Sequence, residues 1–400
     1  MSSIDYEVDL TEEERAIQET AHRFAAEVLR PAGAQLDALA EPEDVIAKDS
    51  ILWDVFKQHR ALGLAEVMAP GGDRTPAQQA RLRCIVTEEL GWGDSGFAIA
   101  FGVAGFPRMM AQMSGNAELI ERFSAEDCIG CWAGTEPDHG SDVIYYMHTP
   151  GVEQPGRPNC IARRDGDSFV INGQKSAWVS NGTIAKAAAM FCAIDLGNGK
   201  RGDGGFLVPL DVPGVSKGKP LNKIGQRALN QGEIFFDNVR VPADYMVIPP
   251  ESYPFATDMI LCNANGGMGS IFVGVAQAAL DLALDYAKQR VQGGVPIFQH
   301  QSVKMRLFEM FRKVQAARTL SRQVTLYNSM NIPPKLHLAV ASKVTATNTA
   351  FEVASSALQI FGGNGLSREY PIEKLLRDAR ASMIEDGCND VLSVVAAERL

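Results

Sequence analysis

No apolar run in the chain reaches the roughly 18 residues that a membrane-spanning helix needs. The nearest, Phe272 to Leu284, is interrupted by Asp281. No cluster of Lys or Arg appears and the net charge is −10, which argues against a nucleic-acid partner. The opening MSSIDYEVDLTEEER is acidic and carries no apolar h-region, so the expectation is a cytoplasmic protein with no membrane partner. The six histidines are scattered. The seven cysteines are odd in number and irregularly spaced, as expected of reduced thiols. Cys128 and Cys131 form a C-x-x-C pair, but a zinc site needs a second pair of ligands at matching spacing, and the sequence offers none. No metal is expected. Repeats and low-complexity segments are missing as well.

What is present describes a soluble globular protein: 46% hydrophobic and 22% charged residues over 400 positions, too many for one ordinary core. The first third, 1–130, reads as helical. Thr11 and Glu14 make a capping box, followed by an apolar face from Ala16 until Pro31 stops the helix. Further helices fit Ile51 to Leu62 and Thr75 to about Leu90. A small, apolar, Met-rich stretch from Ser95 to Met113 reads as a buried helix, and Asn116 to Phe123 as a short one. From 131 to 248 strand-like runs such as SFVINGQKSAWVSNG and EIFFDNVRVP alternate with turn residues, which predicts an antiparallel β domain. Gly197-Asn198-Gly199 precedes a strand rather than a helix, so it reads as a hairpin turn and not a phosphate loop. Residues 249–400 return to long amphipathic helices that suit a four-helix bundle.

The C-terminal stretch SALQIFGGNGLSREYPIEKLLRDARASMIEDGCND is the most informative. Gly362 to Gly365 forces a turn, Pro371 opens a new helix, and that helix stops near Gly387 with Glu385 and Asp386 at its corner. An acidic pair before a glycine can be a solvated C-cap. It can also be a general base, if a poorly solvated pocket raises its proton affinity.

QIFGGNGLSREYPIEKLLRDAR followed by a carboxylate and Gly resembles the C-terminal signature of the acyl-CoA dehydrogenases, and the resemblance covers essentially the whole chain. CWAGTEPDHGSD resembles that family's Thr-Glu-Pro-Gly-Ala-Gly-Ser-Asp loop, and WVSNG its Trp-Ile-Thr-Asn-Gly. IGQRALNQGEIFFDNVRVP resembles the strand pair that closes its β domain. GVAQAALDLALDYAKQRVQGGVPIFQHQ is similar to the helix and Arg-x-x-Phe-Gly turn that reach a neighbouring subunit's flavin.

The resemblance implies an α+β fold: an N-terminal α-helical domain, a middle antiparallel β domain and a C-terminal four-helix bundle. It implies FAD-dependent α,β-dehydrogenation of an acyl-CoA thioester, an electron-transferring flavoprotein as oxidant, and a homotetramer built as a dimer of dimers. It places the base on Asp386, with Glu385 as the lesser candidate. It assigns Trp132, Thr135, Gly140 and Ser141 to the isoalloxazine and pyrophosphate side, Trp178 to the flavin's rear face and Ser180 to a hydrogen bond near N5. Arg290, His300, Gln301, Gln359 and Gly363 would serve the partner's flavin, and Cys388 and Asp390 would also face cofactor. Without the family, Thr135 and Ser141 read equally as turn formers, Trp178 as a half-buried strand aromatic and Arg290 as a solvated helix end. A flavin monooxygenase on the same fold and a catalytically silent subunit of a heteromer are the alternatives.

This chain departs from the family pattern at several places. Gly293 stands where the family has Phe, Cys388 where it has Thr, and Asn265 where some members carry Arg. The segment from Ile144 to Cys160 is longer than the motifs lead one to expect, and lies near the pocket mouth.

Overall fold

The structure, a computed structural model, describes residues 10–68, 73–125, 128–149, 158–197 and 200–400. The N-terminal region is built of α1 (Glu12–Phe24), α2 (Arg30–Ala38), α3 (Pro42–Val45), α4 (Ile51–Ala61), α5 (Leu64–Met68), α6 (Pro76–Gly93), α7 (Ser95–Ala104), α8 (Phe106–Ser114) and α9 (Ala117–Phe123). Local signals set several starts. Thr11 and Glu14 close the expected capping box on α1, Thr75 and Gln78 do the same for α6, and the Asn116 side chain caps α9.

Pro31, however, does not stop the first helix. A π turn over Ala25–Leu29 intervenes and α2 continues the helical path, with Pro31 in its first turn. There the proline has no intrahelical donor to lose, and the wider turn before it relieves the ring's clash. The stretch from Ser95 to Met113 is likewise two helices, α7 and α8, broken at Gly105.

The middle region is an eight-stranded sheet of β1 (Gly130–Ala133), β2 (Ile161–Asp165), β3 (Ser168–Ser180), β4 (Ala187–Gly197), β5 (Lys200–Pro209), β6 (Val215–Lys217), β7 (Gln231–Pro242) and β8 (Met246–Ile248). The order is β6-β7-β3-β1-β4-β5-β8, with β2 also set between β3 and β4. Most pairings are antiparallel as expected, with two parallel exceptions. β1 and β2 both run parallel to β4, while β3 pairs antiparallel with both of them. Two short strands thus share one slot between β3 and β4, and α10 (Asp142–His148) lies on the connection between them. β4 and β5 pair as a hairpin, with Gly197 at φ +80° beside its turn; residues 198 and 199 of that turn lie outside the described ones.

The C-terminal region holds α11 (Tyr253–Gln289), a small hairpin of β9 (Val291–Gln292) and β10 (Val295–Pro296), α12 (Gln301–Met330), α13 (Leu336–Phe361), α14 (Ile372–Ser382) and α15 (Asn389–Ala397). α11 is a single 37-residue helix, mostly buried against α13 and α6. By length and composition it could cross a membrane, but its apolar length belongs to the core, where Phe272, Val273, Val275 and Ala276 are fully buried. Asp281, the residue that interrupts the run, accepts from Trp92 Nε1 at 2.9 Å and from Gln277 at 2.8 Å.

Glycine lets α6 and α11 approach closely. An added Cβ on Gly91 would stand 2.2 Å from the Ile271 carbonyl oxygen, and one on Gly274 2.1 Å from that of Glu88. Beside this contact Glu88 accepts from Arg318 and Arg322 of α12 in a buried cluster.

Candidate active site

The Asp386 corner is built from the end of α14 outward. Lys374, Arg377 and Asp378 of this helix tie the three regions together. Lys374 Nζ bonds Asp94 and Asp378 at 2.6 Å each, Arg377 grips Asp37 and Glu373, and Asp378 Oδ1 accepts from the Gln226 N–H at 2.5 Å. Burial opposes the charge on Lys374, yet the two carboxylates outweigh it and raise its affinity for the proton. α14 then stops at Ser382, and Asp386 and Gly387 take the left-handed conformation, at φ +49° and +95°. Asp tolerates that region better than most residues because its short side chain hydrogen-bonds locally.

Three backbone hydrogen bonds hold this turn. The Gly387 carbonyl accepts from Lys343 Nζ at 2.8 Å, the Cys388 N–H donates to Ser141 Oγ at 3.0 Å, and the Asn389 N–H donates to the Met383 carbonyl at 3.0 Å. Among the described residues nothing accepts from the Asp386 N–H. Gly387 itself is wedged between Ile144 of α10 and Leu392 of α15, each 2.9 Å from an added Cβ. α10 is held in turn by His148, whose ring bonds Asp258 of α11 at 2.5 Å, and by Arg399, which reaches both Asp258 and the His148 carbonyl. It forms part of the segment longer than expected; residues 150–157 of that segment lie outside the described ones.

The two carboxylates have different surroundings. Asp386 is exposed at its surface yet lies deep among protein atoms. That depth raises its proton affinity and Lys343 opposes the rise. Because solvent still reaches the side chain, only the direction of the shift matters. Glu385 is half-buried, accepts from Gln226 Nε2 at 3.0 Å and is pushed up to about 7 by burial, against the pull of Lys223. Lys223, driven down to about 8 by its own burial, donates to the Gln226 and Leu229 carbonyls and to Gln231 Oε1. Gln231 Nε2 then reaches Ser180 Oγ at 3.1 Å. One polar chain thus runs from Ser180 to the neighbourhood of Glu385.

Trp132 and Ser180 face each other across β1 and β3, so the structure brings together those two residues and, two positions along β3, Trp178. Trp178 is 59% exposed, a bare aromatic face beside the Ser180 hydroxyl. Trp132 is half-buried and tilts against Phe106 and Phe191, with ring centroids 4.9 and 4.4 Å away. Thr135 is half-buried and its carbonyl accepts from the Ser176 N–H, Gly140 is exposed, and Ser141 meets the Asp386 corner through Cys388. The Cys388 side chain is half-buried, and Asp390 is exposed in the first turn of α15. Exposed Trp178 and the hydroxyls of Ser180 and Ser141 form a lining of aromatic face and polar groups that fits a flavin against the β domain.

The remaining candidates lie elsewhere. Arg290, Gln301, Gln359 and Gly363 are exposed, and His300, half-buried, bonds the Gln292 carbonyl through Nε2. Gln359 stands 16 positions beyond Lys343 on α13, about 24 Å along the helix. Within one chain Gln359 is therefore held away from the corner that Lys343 touches. Gly293 and Gly294 form the β9–β10 turn, both with positive φ, at +68° and +85°. A Phe at 293 would be strained there, which gives the departure a backbone reason. Asn265 is fully buried; its Nδ2 donates to the Leu261 carbonyl, and its Oδ1 has no partner among the described residues. No cluster of metal-ligating side chains occurs among the described residues.

Sequence reasoning missed Lys343, Lys223, Gln226 and Ile144. Lys343 alone left a trace: it falls on the stripe of Ala339, Val340, Ala346, Thr347 and Ala350, a cation where a helix is otherwise buried.

Comparison with known proteins extends over nearly the whole chain. Residues 11–126, 131–239 and 261–400 match the models of the acyl-CoA dehydrogenase N-terminal, middle and C-terminal domains. Cyclohexane-1-carbonyl-CoA dehydrogenase of Geobacter metallireducens is 31% identical over 402 residues, covering 98% of both chains. Butyryl-CoA dehydrogenase from Megasphaera elsdenii superimposes with a TM-score of 0.84 at 26% identity, covering 99% of each chain. A glutaryl-CoA dehydrogenase from Mycobacterium smegmatis in complex with FADH2 does so with a TM-score of 0.80 at 25% identity, over 98% of this chain and 95% of that one.

Proposed function

The chain belongs to the acyl-CoA dehydrogenase family, and from that premise we propose that it oxidises an acyl-CoA thioester to the trans-2-enoyl-CoA, with FAD as cofactor and Asp386 as base. One observation carries the reading: a carboxylate of raised proton affinity stands open at a left-handed corner whose own N–H has no partner among the described residues. A thioester placed with its oxygen on that N–H has its α proton acidified and facing Asp386. Bound FAD supplies the acceptor for the β hydride. The Cα–H electron pair becomes the new double bond and Asp386 keeps the proton. Trp178 and Ser180 orient the flavin on the β domain, while Ser141, which accepts from Cys388, joins the cofactor side to the corner.

Arg290, His300, Gln301, Gln359 and Gly363 serve the flavin of a neighbouring copy in a homotetramer. The distance of Gln359 from Lys343 along α13 supports this, as do the exposed Val291, Met305 and Phe308 near Arg290 and Gln301 in the chain. An electron-transferring flavoprotein in the cytoplasm reoxidises the flavin.

Anaerobic titration of the purified holoprotein with straight, branched and alicyclic acyl-CoA thioesters tests the reading. One class should bleach the flavin absorbance, Asp386→Asn should lose at least about 100-fold in reduction rate, and Glu385→Gln should still reduce. Bound flavin that no thioester bleaches would sink it. If that flavin turned over with a reductase and oxygen, a monooxygenase would take its place. A chain that retains no flavin unless another chain is present would point instead to a silent subunit.

A further inference from the structure

We propose that Lys343, a residue of α13 outside the motifs that carry the family resemblance, is the positioning residue that holds the Asp386 corner in shape and keeps its carboxylate ionised; the inference rests on Asp386 being the base. Lys343 is fully buried. Its ammonium donates to the Gly387 carbonyl at 2.8 Å and to Asn389 Oδ1 at 2.7 Å. Asn389 Nδ2 in turn donates to Thr347 Oγ1 at 3.0 Å and to Asn348 Oδ1 at 3.1 Å. The corner is therefore bolted to two successive turns of α13 from below, through the peptide that follows Asp386. A lysine in a dry helix interface is costly unless its donors are satisfied and a negative charge stands near. Two donors are spent on the corner, and the charges facing it are Asp386 and Glu385, with the Cys388 thiol beside them. On the other side Glu385 faces Lys223 and Gln226 of the β domain, whereas Lys343 is the cation that acts on Asp386.

Two consequences follow with opposite signs in pH. Removing the cation leaves the burial of Asp386 unopposed, so its proton is held to higher pH and the acid limb of flavin reduction moves up. Burial also lowers Lys343 itself to about 8. Above that pH it loses its charge and its hold on Gly387 weakens, which gives the wild type an alkaline limb. Arginine does not deprotonate in this range, so Lys343→Arg should lack that limb.

The test pairs a kinetic readout with one that needs no substrate. Infrared titration of the holoprotein, with the Asp386 signal assigned by its absence in Asp386→Asn, should show the protonation midpoint rising by about one unit or more in Lys343→Met. Stopped-flow reduction should show the acid limb moving with it and the plateau rate falling at least about 10-fold. Asn389→Ala, which loosens the bolt and keeps the charge, should slow reduction without moving the acid limb. An unchanged Asp386 midpoint in Lys343→Met, or an alkaline limb near pH 8 that persists in Lys343→Arg, would overturn the proposal; the second variant decides if the first does not fold. A wild type that no thioester reduces would refute the dehydrogenase reading, while the infrared arm would still judge Lys343.

Discussion

Asp386 combines two demands that pull its side chain in different directions. The left-handed backbone at φ +49° favours Asn, Asp or Gly, while the proposed chemistry needs a carboxylate. Replacing it by Asn should therefore leave folding intact and remove turnover. Asp386→Ala should lose turnover and, in addition, about 1 kcal/mol of stability, read from denaturant midpoints. Another residue carries a pH signature far from the site. His59 of α4 is buried, stacks on Phe101 at 3.8 Å, has no partner for Nε2 among the described residues and is held down to about 4, chiefly by burial and then by Arg60. The unfolded chain binds this proton more readily than the folded one. Stability should accordingly fall as pH drops from about 6.5 to 4, by roughly 3 kcal/mol for this group. Buffer-matched unfolding of wild type and His59→Gln should show the variant's slope flattened across that window.

What was readable in the sequence at the level of elements follows from how local each cause is. The capping boxes at Thr11 and Thr75 and the Asn116 cap involve neighbours three residues apart, so the sequence states them outright. Pro31 misled because its accommodation depends on a π turn upstream. The parallel pairings of β1 and β2 with β4 escaped because no local pattern records which strand lies beside which. At the site, motifs pointed to Asp386, Trp178 and Ser180. The cations that govern the corner did not show, since Lys343 acquires meaning only when Gly387, 44 residues further on, folds back on it, and Lys223 only when Glu385 of the C-terminal region comes to face it. The α6–α11 contact gives a prediction of its own. Gly274→Ala would drive a methyl into the Glu88 carbonyl oxygen, 2.1 Å away. A loss of about 1–3 kcal/mol or more is expected, with weakened flavin retention as the helices part; calorimetry and bound-flavin absorbance would check both.

At the scale of the whole molecule, the exposed Met305 and Phe308 on α12 stand beside the hairpin that carries Val291. If the chain assembles as proposed, the double substitution Met305→Asp and Phe308→Asp should shift light-scattering mass from four chains to fewer and release flavin in parallel. A variant that stays tetrameric with full flavin would move the interface elsewhere. α14 matters on the same scale, because Lys374, Arg377 and Asp378 join all three regions on the helix that runs into the Asp386 corner.

α11 sets a constraint on the lengths this protein can adopt. Its first turns hold Asp258, the anchor of α10 beside the Asp386 corner, and Arg290 follows its last. Those two positions are 32 residues apart, roughly 48 Å of continuous helix, and each inserted residue would turn one end against the other by about 100°. A single-residue insertion or deletion anywhere between them would swing Arg290 away from the neighbouring copy it is proposed to serve while leaving every local propensity untouched. The helix works as a fixed-length gauge: relatives that keep both ends in use can change its side chains freely, but can change its length only where a bulge or kink restores the phase.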